Sequence, residues 1–502
     1  EHEKEGILMD KNNGAIYDAR KLGKPKMIIL GVQHMFAMFG ATILVPILTG
    51  LDISTTLLMA GLGTLLFHCI TKFKVPAFLG SSFAFLGGYA AIKAFSPNDP
   101  NSMLPYACLG VACAGLIYFI LAAVIKAVGI EKVMRFFPPV VTGPIIIAIG
   151  LGLAPSAVSN CTTNWFLAVV ALAVIVVFNI WGKGMAKIIP IILGLLISYG
   201  TGLVLYFISQ ANPDLIQNVP WLFSGGADAN GVYQPIFDFT SLNTICDNIS
   251  KGHIFGSEGL IGIPIHWDKT VFGGIDYSNG ALIASSIIAI VPIAFATMME
   301  HIGDICAISS TTGNNYIKDP GLHRTLVGDG LATTLASLFG GPANTTYGEN
   351  TGVLALTRVY DPRVIRIAAY FAVAVSFFPI VSVIIGSIPS CIIGGISFVL
   401  YGMISAIGVR NVVENKVDFT KSRNLIVAAV ILVCALGLSS DTVSFTIGSA
   451  AITLSPLAVA SIAGIVLNAV FPGKDYKFDT EDVADAANFE KEVKPKEKKE
   501  KK

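Results

Sequence analysis

The sequence has 502 residues, of which 53% are hydrophobic and only 13% are charged, about half the charged fraction of a typical soluble domain. Together with a mean hydropathy of +0.70, this excludes a water-soluble fold and indicates an integral membrane protein. The 34 basic and 33 acidic residues leave a net charge of +1, so no excess of either sign points to nucleic acid as a partner.

Apolar segments recur along the chain from Met27 to Phe471. Most of them approach the length of about 20 helical residues that crosses the hydrocarbon core of a bilayer. We therefore predict about fourteen transmembrane segments, at residues 27–48, 54–72, 77–94, 105–128, 138–157, 163–181, 188–209, 281–303, 321–340, 343–359, 364–387, 391–408, 423–439 and 444–471.

Lysine and arginine are concentrated in every second loop, which is typical of loops on the cytoplasmic side. The basic loops contain Lys72 and Lys74, Lys132 and Arg135, Lys183 and Lys187, Lys318 and Arg324, Arg358 and Arg363, and Arg410, Lys416, Lys421 and Arg423. The intervening loops carry almost none. This pattern predicts that residues 1–26 are a cytoplasmic segment, that 210–280 is an extracellular loop and that the charged tail 472–502 is cytoplasmic.

The third and tenth segments are not continuous apolar helices. Each begins at a proline, Pro76 or Pro342, and passes through hydroxyl and aromatic residues before it becomes helix-like. Irregular backbone at membrane depth is tolerated only where it packs against protein or lines a cavity. The two breaks therefore indicate where a binding site lies.

The two broken segments are seven segments apart, and a seven-segment offset inverts orientation in the membrane. We predict an all-α polytopic membrane protein with two inverted seven-segment repeats, at residues 27–209 and 281–471. Short β-strand and half-helix breaks are predicted in segments 3 and 10.

Three acidic residues in or beside these apolar segments are candidates for function. Glu300 and Asp304 are four residues apart and share one helix face, and Glu349 follows the break Thr345-Thr346-Tyr347-Gly348. Ionisable residues inside membrane segments usually mark substrate or proton pathways. The alternatives are a cap on its own helix for Glu349 and solvation at the segment end for Asp304.

His34 follows Gln33 in the first segment, where a polar pair needs partners. We expect a structural hydrogen bond from His34 to a neighbouring broken segment, with a part in proton transfer as the alternative. Enzyme motifs are missing, since Ile305 stands where a metal protease would have the second His after Glu300-His301. We predict no enzyme activity, no metal and no cofactor besides a coupling proton.

The motifs together resemble the nucleobase-cation symporter 2 family, also called the nucleobase–ascorbate transporters, and within it the bacterial uracil permeases. The similarity rests on Gln33-His34-Met35-Phe36-Ala37-Met38-Phe39-Gly40-Ala41-Thr42, Gly80-Ser81-Ser82-Phe83-Ala84-Phe85, Glu300-His301-Ile302-Gly303 and Asn344-Thr345-Thr346-Tyr347-Gly348-Glu349-Asn350-Thr351-Gly352. The resemblance implies a core domain that moves against a gate domain, a homodimer in the plasma membrane, and proton-coupled uptake of a nucleobase.

The resemblance also assigns roles to residues. It implies that Glu300 and Glu349 bind the ring N–H groups of the base, while the backbone near Phe83 and Gly348 meets its carbonyl oxygens. Tyr347, Tyr401 and Ala41 are then expected around the same pocket. Proton coupling is expected to involve Glu300, Asp304 and His34.

Two positions bear on which base is carried. Many uracil permeases have His where this chain has Asp304, whereas purine-transporting relatives often have Asp there. Those relatives usually have Gln where this chain has Glu349. We expect uracil, with xanthine or another purine as the alternative and an anion exchanger or channel of the same fold as a further one.

Overall fold

A computed structural model of the chain describes residues 15–438, 444–447 and 450–473. The beginning of the predicted N-terminal segment and nearly all of the predicted charged tail lie outside these residues. By length and composition, seven helices of the described part are apolar enough to cross a membrane. An eighth is counted if the pair Pro362–Ser376 and Pro379–Gly386 is one span.

The first half of the described chain is built mainly from long apolar helices and ends in short elements between residues 212 and 279. Its elements are α1 (Lys24–Thr49), α2 (Ile53–Ile70), β1 (Leu79–Ser81), α3 (Leu86–Lys93), α4 (Leu104–Val128), α5 (Ile130–Met134), α6 (Pro139–Cys161), α7 (Trp165–Trp181), α8 (Met185–Ile188), α9 (Pro190–Ala211), α10 (Asp214–Asn218), α11 (Pro220–Phe223), β2 (Ser224–Ala227), β3 (Tyr233–Pro235), α12 (Thr240–Ser250) and α13 (Val271–Gly274).

The second half repeats the long-helix pattern and contains the second broken segment. Its elements are α14 (Gly280–Ile290), α15 (Ala294–Thr312), α16 (Leu322–Leu338), β4 (Asn344–Thr346), α17 (Gly348–Thr357), α18 (Pro362–Ser376), α19 (Pro379–Gly386), α20 (Ser390–Glu414), α21 (Ser422–Gly437), β5 (Ser444–Ile447), β6 (Ala450–Thr453) and α22 (Pro456–Val470).

Local sequence signals set many helix ends. Asp52 caps α2 by accepting a hydrogen bond from Thr55 N at 2.7 Å, and Asn164 caps α7 in the same way. Several other helices begin at a proline, which has no N–H to leave unbonded in the first turn. Gly50 ends α1 in the left-handed conformation, which a glycine adopts at little cost.

The helices pack in two groups, and each group takes members from both halves of the sequence. In the first group α4 packs on α16 and α14, and α18 packs on α1 and α2. In the second, α20 runs along α6 and α7, α9 packs on α7, and α21 packs on α6 and α22. Helix α15 belongs with the first group and also contacts α6 and α22 of the second.

Small residues let the second group pack closely. A methyl group on Gly408 of α20 would lie 2.6 Å from Ile147 N and 2.8 Å from Gly143 O of α6. Such a methyl group would clash with α6, so the two helices can lie this close only because the residue is glycine. Small residues at close contacts are common between membrane helices. The many glycines of the sequence therefore serve helix packing at positions such as this one.

Two observed features differ from the predicted segments. The last segment, 444–471, was expected to be one helix, and this is wrong: β5 pairs antiparallel with β6, and α22 begins only at Pro456. The stretch Ser444-Phe445-Thr446-Ile447 alternates polar and apolar residues, and three of its four residues are β-branched or aromatic, which favours strands. The chain also bends by 88° between α18 and α19. The count of fourteen segments and the inverted repeats stay predictions.

Candidate functional site

The two broken segments meet as a pair of short antiparallel strands. β1 and β4 pair with Leu79 opposite Thr346, Gly80 opposite Thr345 and Ser81 opposite Asn344. The predicted strand and half-helix breaks are thus present in both segments. Because the two strands are antiparallel, the chain leaves β1 and β4 at opposite ends of a short ribbon. A three-residue strand is about 10 Å long.

Side chains of neighbouring helices hold this ribbon in place. Thr64 Oγ1 of α2 accepts from Leu79 N at 2.9 Å and lies 3.2 Å from Leu79 O. On the other strand, Thr333 Oγ1 of α16 donates to Asn344 O at 2.7 Å, and Asn344 Nδ2 donates to Met59 O at 3.0 Å. These bonds satisfy backbone and amide groups that would otherwise be buried without partners.

Each strand leads into a helix, and the first N–H groups of a helix have no partner within it. β4 is followed at once by α17, which begins at Gly348. β1 is followed by Phe83 and, after a turn, by α3, which begins at Leu86. Two sets of helix-start N–H groups therefore flank the ribbon from its two ends, as donors for carbonyl oxygens or anions.

Tyr347 lies across the ribbon. Its hydroxyl donates to Ser81 O at 2.9 Å and accepts from Thr42 Oγ1 at 3.4 Å. A methyl group on Gly80 would stand 2.5 Å from the Tyr347 ring, so glycine is needed for the ring to lie against β1. Ala41, the neighbour of Thr42, is fully buried on α1.

The three acidic residues singled out in the sequence lie together beside the ribbon. Glu300 and Asp304 are on α15, Glu349 is in the first turn of α17, and all three are only partly buried. Helix α15 packs against both α17 and β4, so the three carboxylates lie on neighbouring elements, where like charges repel. The structure therefore brings the predicted acids into one cluster, with access to solvent.

The acids differ in their hydrogen bonds. Asp304 Oδ2 accepts a hydrogen bond from Thr346 Oγ1 of β4 at 2.8 Å. Among the described residues, Glu300 Oε2 is buried without a hydrogen-bond partner. A buried carboxylate oxygen without a partner is costly unless a ligand or a proton supplies one.

The hydrogen bond expected between His34 and a broken segment is present. Asn350 Nδ2 of α17 lies 3.2 Å from His34 Nδ1 and donates to His34 O at 3.1 Å. The His34 side chain is fully buried, and its Nε2 has no hydrogen-bond partner among residues 15–438, 444–447 and 450–473. His34 thus fixes α17 to α1.

Phe83 and Tyr401 connect the two helix groups. Phe83 follows β1 in the first group, Tyr401 is on α20 in the second, and their ring centroids are 5.9 Å apart in an edge-to-face arrangement. Both side chains are buried. The predicted pocket residues from the two halves of the sequence therefore meet at the boundary between the groups.

The sequence analysis did not identify a buried pair formed by His301, which follows Glu300 in the sequence, and Asp329. His301 Nδ1 lies 3.2 Å from Asp329 Oδ2 of α16, and both side chains are fully buried. The signal was present, because Asp329 stands in the apolar segment between Gly328 and Gly330. An acid at such a place deserves the same interpretation as Glu300.

The described part of the chain has no group of three or more His, Cys, Asp and Glu side chains that could hold a metal ion. The cluster itself consists of carboxylates, helix-start amides and aromatic rings. Such a set can bind a small planar molecule that has both hydrogen-bond donors and acceptors.

Comparison with known proteins agrees with this description. The chain matches the model of a permease family over residues 25–444. It is 38% identical over 458 residues to the uracil permease of Bacillus caldolyticus, which covers 89% of this chain and 92% of that protein. It is 37% identical over 467 residues to the uracil permease of Bacillus subtilis (strain 168), with coverages of 90% and 94%.

These matches define a multi-pass membrane transporter and not an enzyme. A further relative is the putative pyrimidine permease RutG of Escherichia coli (strain K12), which is 34% identical over 465 residues and covers 92% of this chain and 93% of that protein. The chain belongs to the nucleobase-cation symporter 2 family of permeases.

Solved structures show the same fold at low sequence identity. The transmembrane domain of the cyanobacterial bicarbonate transporter BicA superposes with a TM-score of 0.53 at 13% identity, covering 90% of this chain and 99% of that chain. SLC26A9 superposes with a TM-score of 0.50 at 10% identity, covering 90% and 66%. At these identities the similarity concerns the fold alone.

Proposed function

We propose that this protein is a proton-coupled symporter that carries a nucleobase, uracil, across the plasma membrane. One observation carries the proposal: Glu300 and Glu349 lie in one cluster beside a strand pair from which two helices begin. The family relatives that are named uracil permeases support the choice of substrate.

The cluster matches the hydrogen-bonding groups of uracil. The base has two N–H donors and two carbonyl acceptors in one plane, and carboxylates only accept while backbone amides donate. Glu300 and Glu349 take the ring N–H groups, and the amides near Phe83 and Gly348 take the carbonyl oxygens. Tyr347, Tyr401 and Ala41 complete the pocket around the ring.

Proton coupling follows from the crowding of the acids. Three negative charges at short range in a partly buried site repel one another strongly. A proton held on Glu300, or shared with Asp304 and His34, lowers this repulsion and leaves a site suited to a neutral base. The site then binds proton and substrate together.

Transport requires the site to open to each side in turn. We propose that the first helix group is the core domain and the second the gate domain, which move against each other at contacts such as Phe83 with Tyr401. Two inverted repeats, both termini in the cytoplasm and a homodimer belong to the same proposal. Inverted repeats with a site at broken helices are the usual basis of alternating access.

A purine, such as xanthine, is the second candidate. Asp304 favours it because many uracil permeases have His at this position and purine-transporting relatives often have Asp. Glu349 favours uracil, since those relatives usually have Gln there. Thr346, the hydrogen-bond partner of Asp304, lies next to Tyr347, so Asp304 acts on the pocket through β4.

An anion is a weaker candidate. It is considered because BicA, which has a similar fold, is a bicarbonate transporter. A site for an anion would place a cation near the helix starts. The motif segments 80–85 and 344–352 contain no Lys or Arg. Lys93 is at the other end of α3, where its Nζ donates to Thr49 O at 2.8 Å.

Uptake by cells that express the protein tests the proposal. We expect unlabelled uracil to compete with labelled uracil better than xanthine, hypoxanthine or thymine does, and a proton uncoupler to abolish accumulation. Glu300→Gln and Glu349→Ala should lose most uptake, whereas Glu414→Gln, which alters an exposed partner of Arg410, should not. Near-normal, pH-dependent uptake by both site variants contradicts the assignment.

A further inference from the structure

The residues just before α1 form a segment that is bonded to distant parts of the chain; we call residues 15–23 the N-terminal strap. Ile16 and Val359 form an isolated parallel bridge. Ile16 N donates to Arg358 O at 2.8 Å, and Tyr360 N donates to Ile16 O at 2.8 Å. The strap is therefore joined to the residues that immediately follow α17.

The next residue of the strap is bonded to α15. Tyr17 OH donates to Thr312 O at 2.6 Å, and Thr312 is the last residue of that helix. The Tyr17 ring also packs edge-on against Tyr360, with centroids 5.4 Å apart. Two successive strap residues thus contact the C-terminal ends of the two helices that carry Glu300 and Glu349.

Charged groups anchor the middle of the strap. Ala19 N donates to Asp361 Oδ2 at 2.7 Å, and the Asp361 side chain is buried. Arg363 Nη1 lies 3.0 Å from Asp18 Oδ1 and 3.1 Å from Asp361 Oδ2. The hydrogen bond from the Arg20 side chain holds the pKa of Asp18 well below its usual range, so Asp18 stays charged.

An apolar cluster beneath these bonds fixes the strap further. Its buried members are Ala19, Val359 and Val364, with Ile16, Leu22, Met27 and Leu30 packed around them. This cluster is separate from the main core of the molecule. The strap is therefore a bonded and packed element of the fold.

We propose that the N-terminal strap positions the transport site by fixing the spacing between the C-terminal ends of α15 and α17. A helix rises 1.5 Å per residue, so Glu300 lies about 18 Å from Thr312 and Glu349 about 14 Å from Arg358 along their helices. A helix is a rigid element that can carry a shift at one end to the other. Tyr17 and Asp361 are then positioning residues for the acid cluster; only the choice of uracil as the probe rests on the proposed function.

Tyr17→Phe tests the strap by removing one hydroxyl. We expect the Kd and the KM for labelled uracil to rise roughly 2- to 12-fold, the range that corresponds to one lost hydrogen bond, with the maximal uptake rate unchanged. Tyr277→Phe is the matched control, because Tyr277 OH also donates to a backbone carbonyl, Val271 O, at 2.8 Å. The control should bind like the wild type.

A disulfide tests whether Tyr17 acts through its bond to α15. Bridge partners on adjacent strands lie about 4.8 Å apart, within the range of Cα distances that a disulfide spans. Adding Ile16→Cys and Val359→Cys to Tyr17→Phe, with the exposed Cys69 and Cys246 replaced by Ser, ties the strap only to the residues after α17. Oxidation should therefore leave the weakened uracil affinity unchanged. Recovery of wild-type affinity on oxidation would contradict the role assigned to the bond between the strap and α15.

Hydrogen–deuterium exchange without substrate separates this proposal from the proposed function. In Tyr17→Phe, amides of residues 305–312 and 348–358 should exchange faster than in the wild type, and those of the control should not. Faster exchange in a protein that binds no uracil supports the strap and contradicts the proposed function. If Tyr17→Phe changes neither the exchange of these amides nor the affinity for uracil, the proposed role of the strap is overturned.

Discussion

The two broken segments share a backbone plan and differ in the side chains that they present. β1 and β4 pair residue by residue, and each leads into a short helix. The first segment offers small and apolar residues, Gly80-Ser81-Ser82-Phe83, whereas the second carries Tyr347, Glu349 and Asn350. Under the proposed function, we expect the first segment to contribute shape and backbone donors to the pocket, and the second to contribute charge.

The largest expected effect comes from removing the charge of the second segment. Glu349→Gln keeps the size of the side chain and loses one charged acceptor. Uptake of uracil at low concentration should fall roughly 10- to 150-fold, which corresponds to about 1.5 to 3 kcal/mol for a hydrogen bond to a charged group. Initial rates of labelled uptake measure the loss. Gain of xanthine uptake by this variant would show that Glu349 selects the base.

An intermediate effect is expected from the threonines that support the two strands. Thr64→Val leaves both Leu79 N and Leu79 O without their side-chain partner, and Thr333→Val leaves only Asn344 O. Each orphaned buried group costs about 1 to 3 kcal/mol, so the thermal unfolding midpoint in detergent should fall further for Thr64→Val.

Thr201→Val is the control for this pair, since Thr201 Oγ1 donates only to Ile197 O on the exposed face of its own helix. Its unfolding midpoint should stay near that of the wild type. Equal midpoints for Thr64→Val and Thr333→Val would show that the two strands depend equally on their neighbouring helices.

The smallest effect is expected at the aromatic contact of the first segment. Phe83→Leu keeps apolar volume and loses the edge-to-face contact with Tyr401, which is worth about 0.5 to 1.5 kcal/mol. The KM for uracil should rise roughly 2- to 12-fold. Phe166→Leu, which alters a similar ring pair with Trp221, should leave it unchanged. A loss of uracil uptake as large as that of Glu349→Gln would contradict the view that the first segment contributes shape and the second contributes charge.

The breaks were predictable because proline followed by hydroxyl residues cannot form a continuous apolar helix. The acids were predictable because ionisable residues in apolar segments are rare. The meeting of the acids of α15 with the broken segment that contains Glu349 was not predictable, since it depends on which residues of α15 face α17. The pairing of His301 with Asp329, 28 positions along the chain, depends on helix packing in the same way.

Elements outside the long helices were the least predictable. β5 and β6 lie in a segment whose overall hydropathy resembles that of a helix, and only the local alternation of residues favours strands. The sharp turn before Pro379 lies in a continuous apolar run, so hydropathy predicts one span where the structure has two helices. The Tyr17 contact with Thr312 joins residues 295 positions apart, which no local pattern signals.

Binding of labelled uracil to the purified protein, with proton uptake followed by a pH indicator, tests the central claim most directly. We predict that the wild type binds uracil and takes up protons with it, and that Glu300→Gln loses the proton uptake while Glu349→Gln loses most of the binding. Wild-type uracil affinity and proton uptake in both variants would contradict the account.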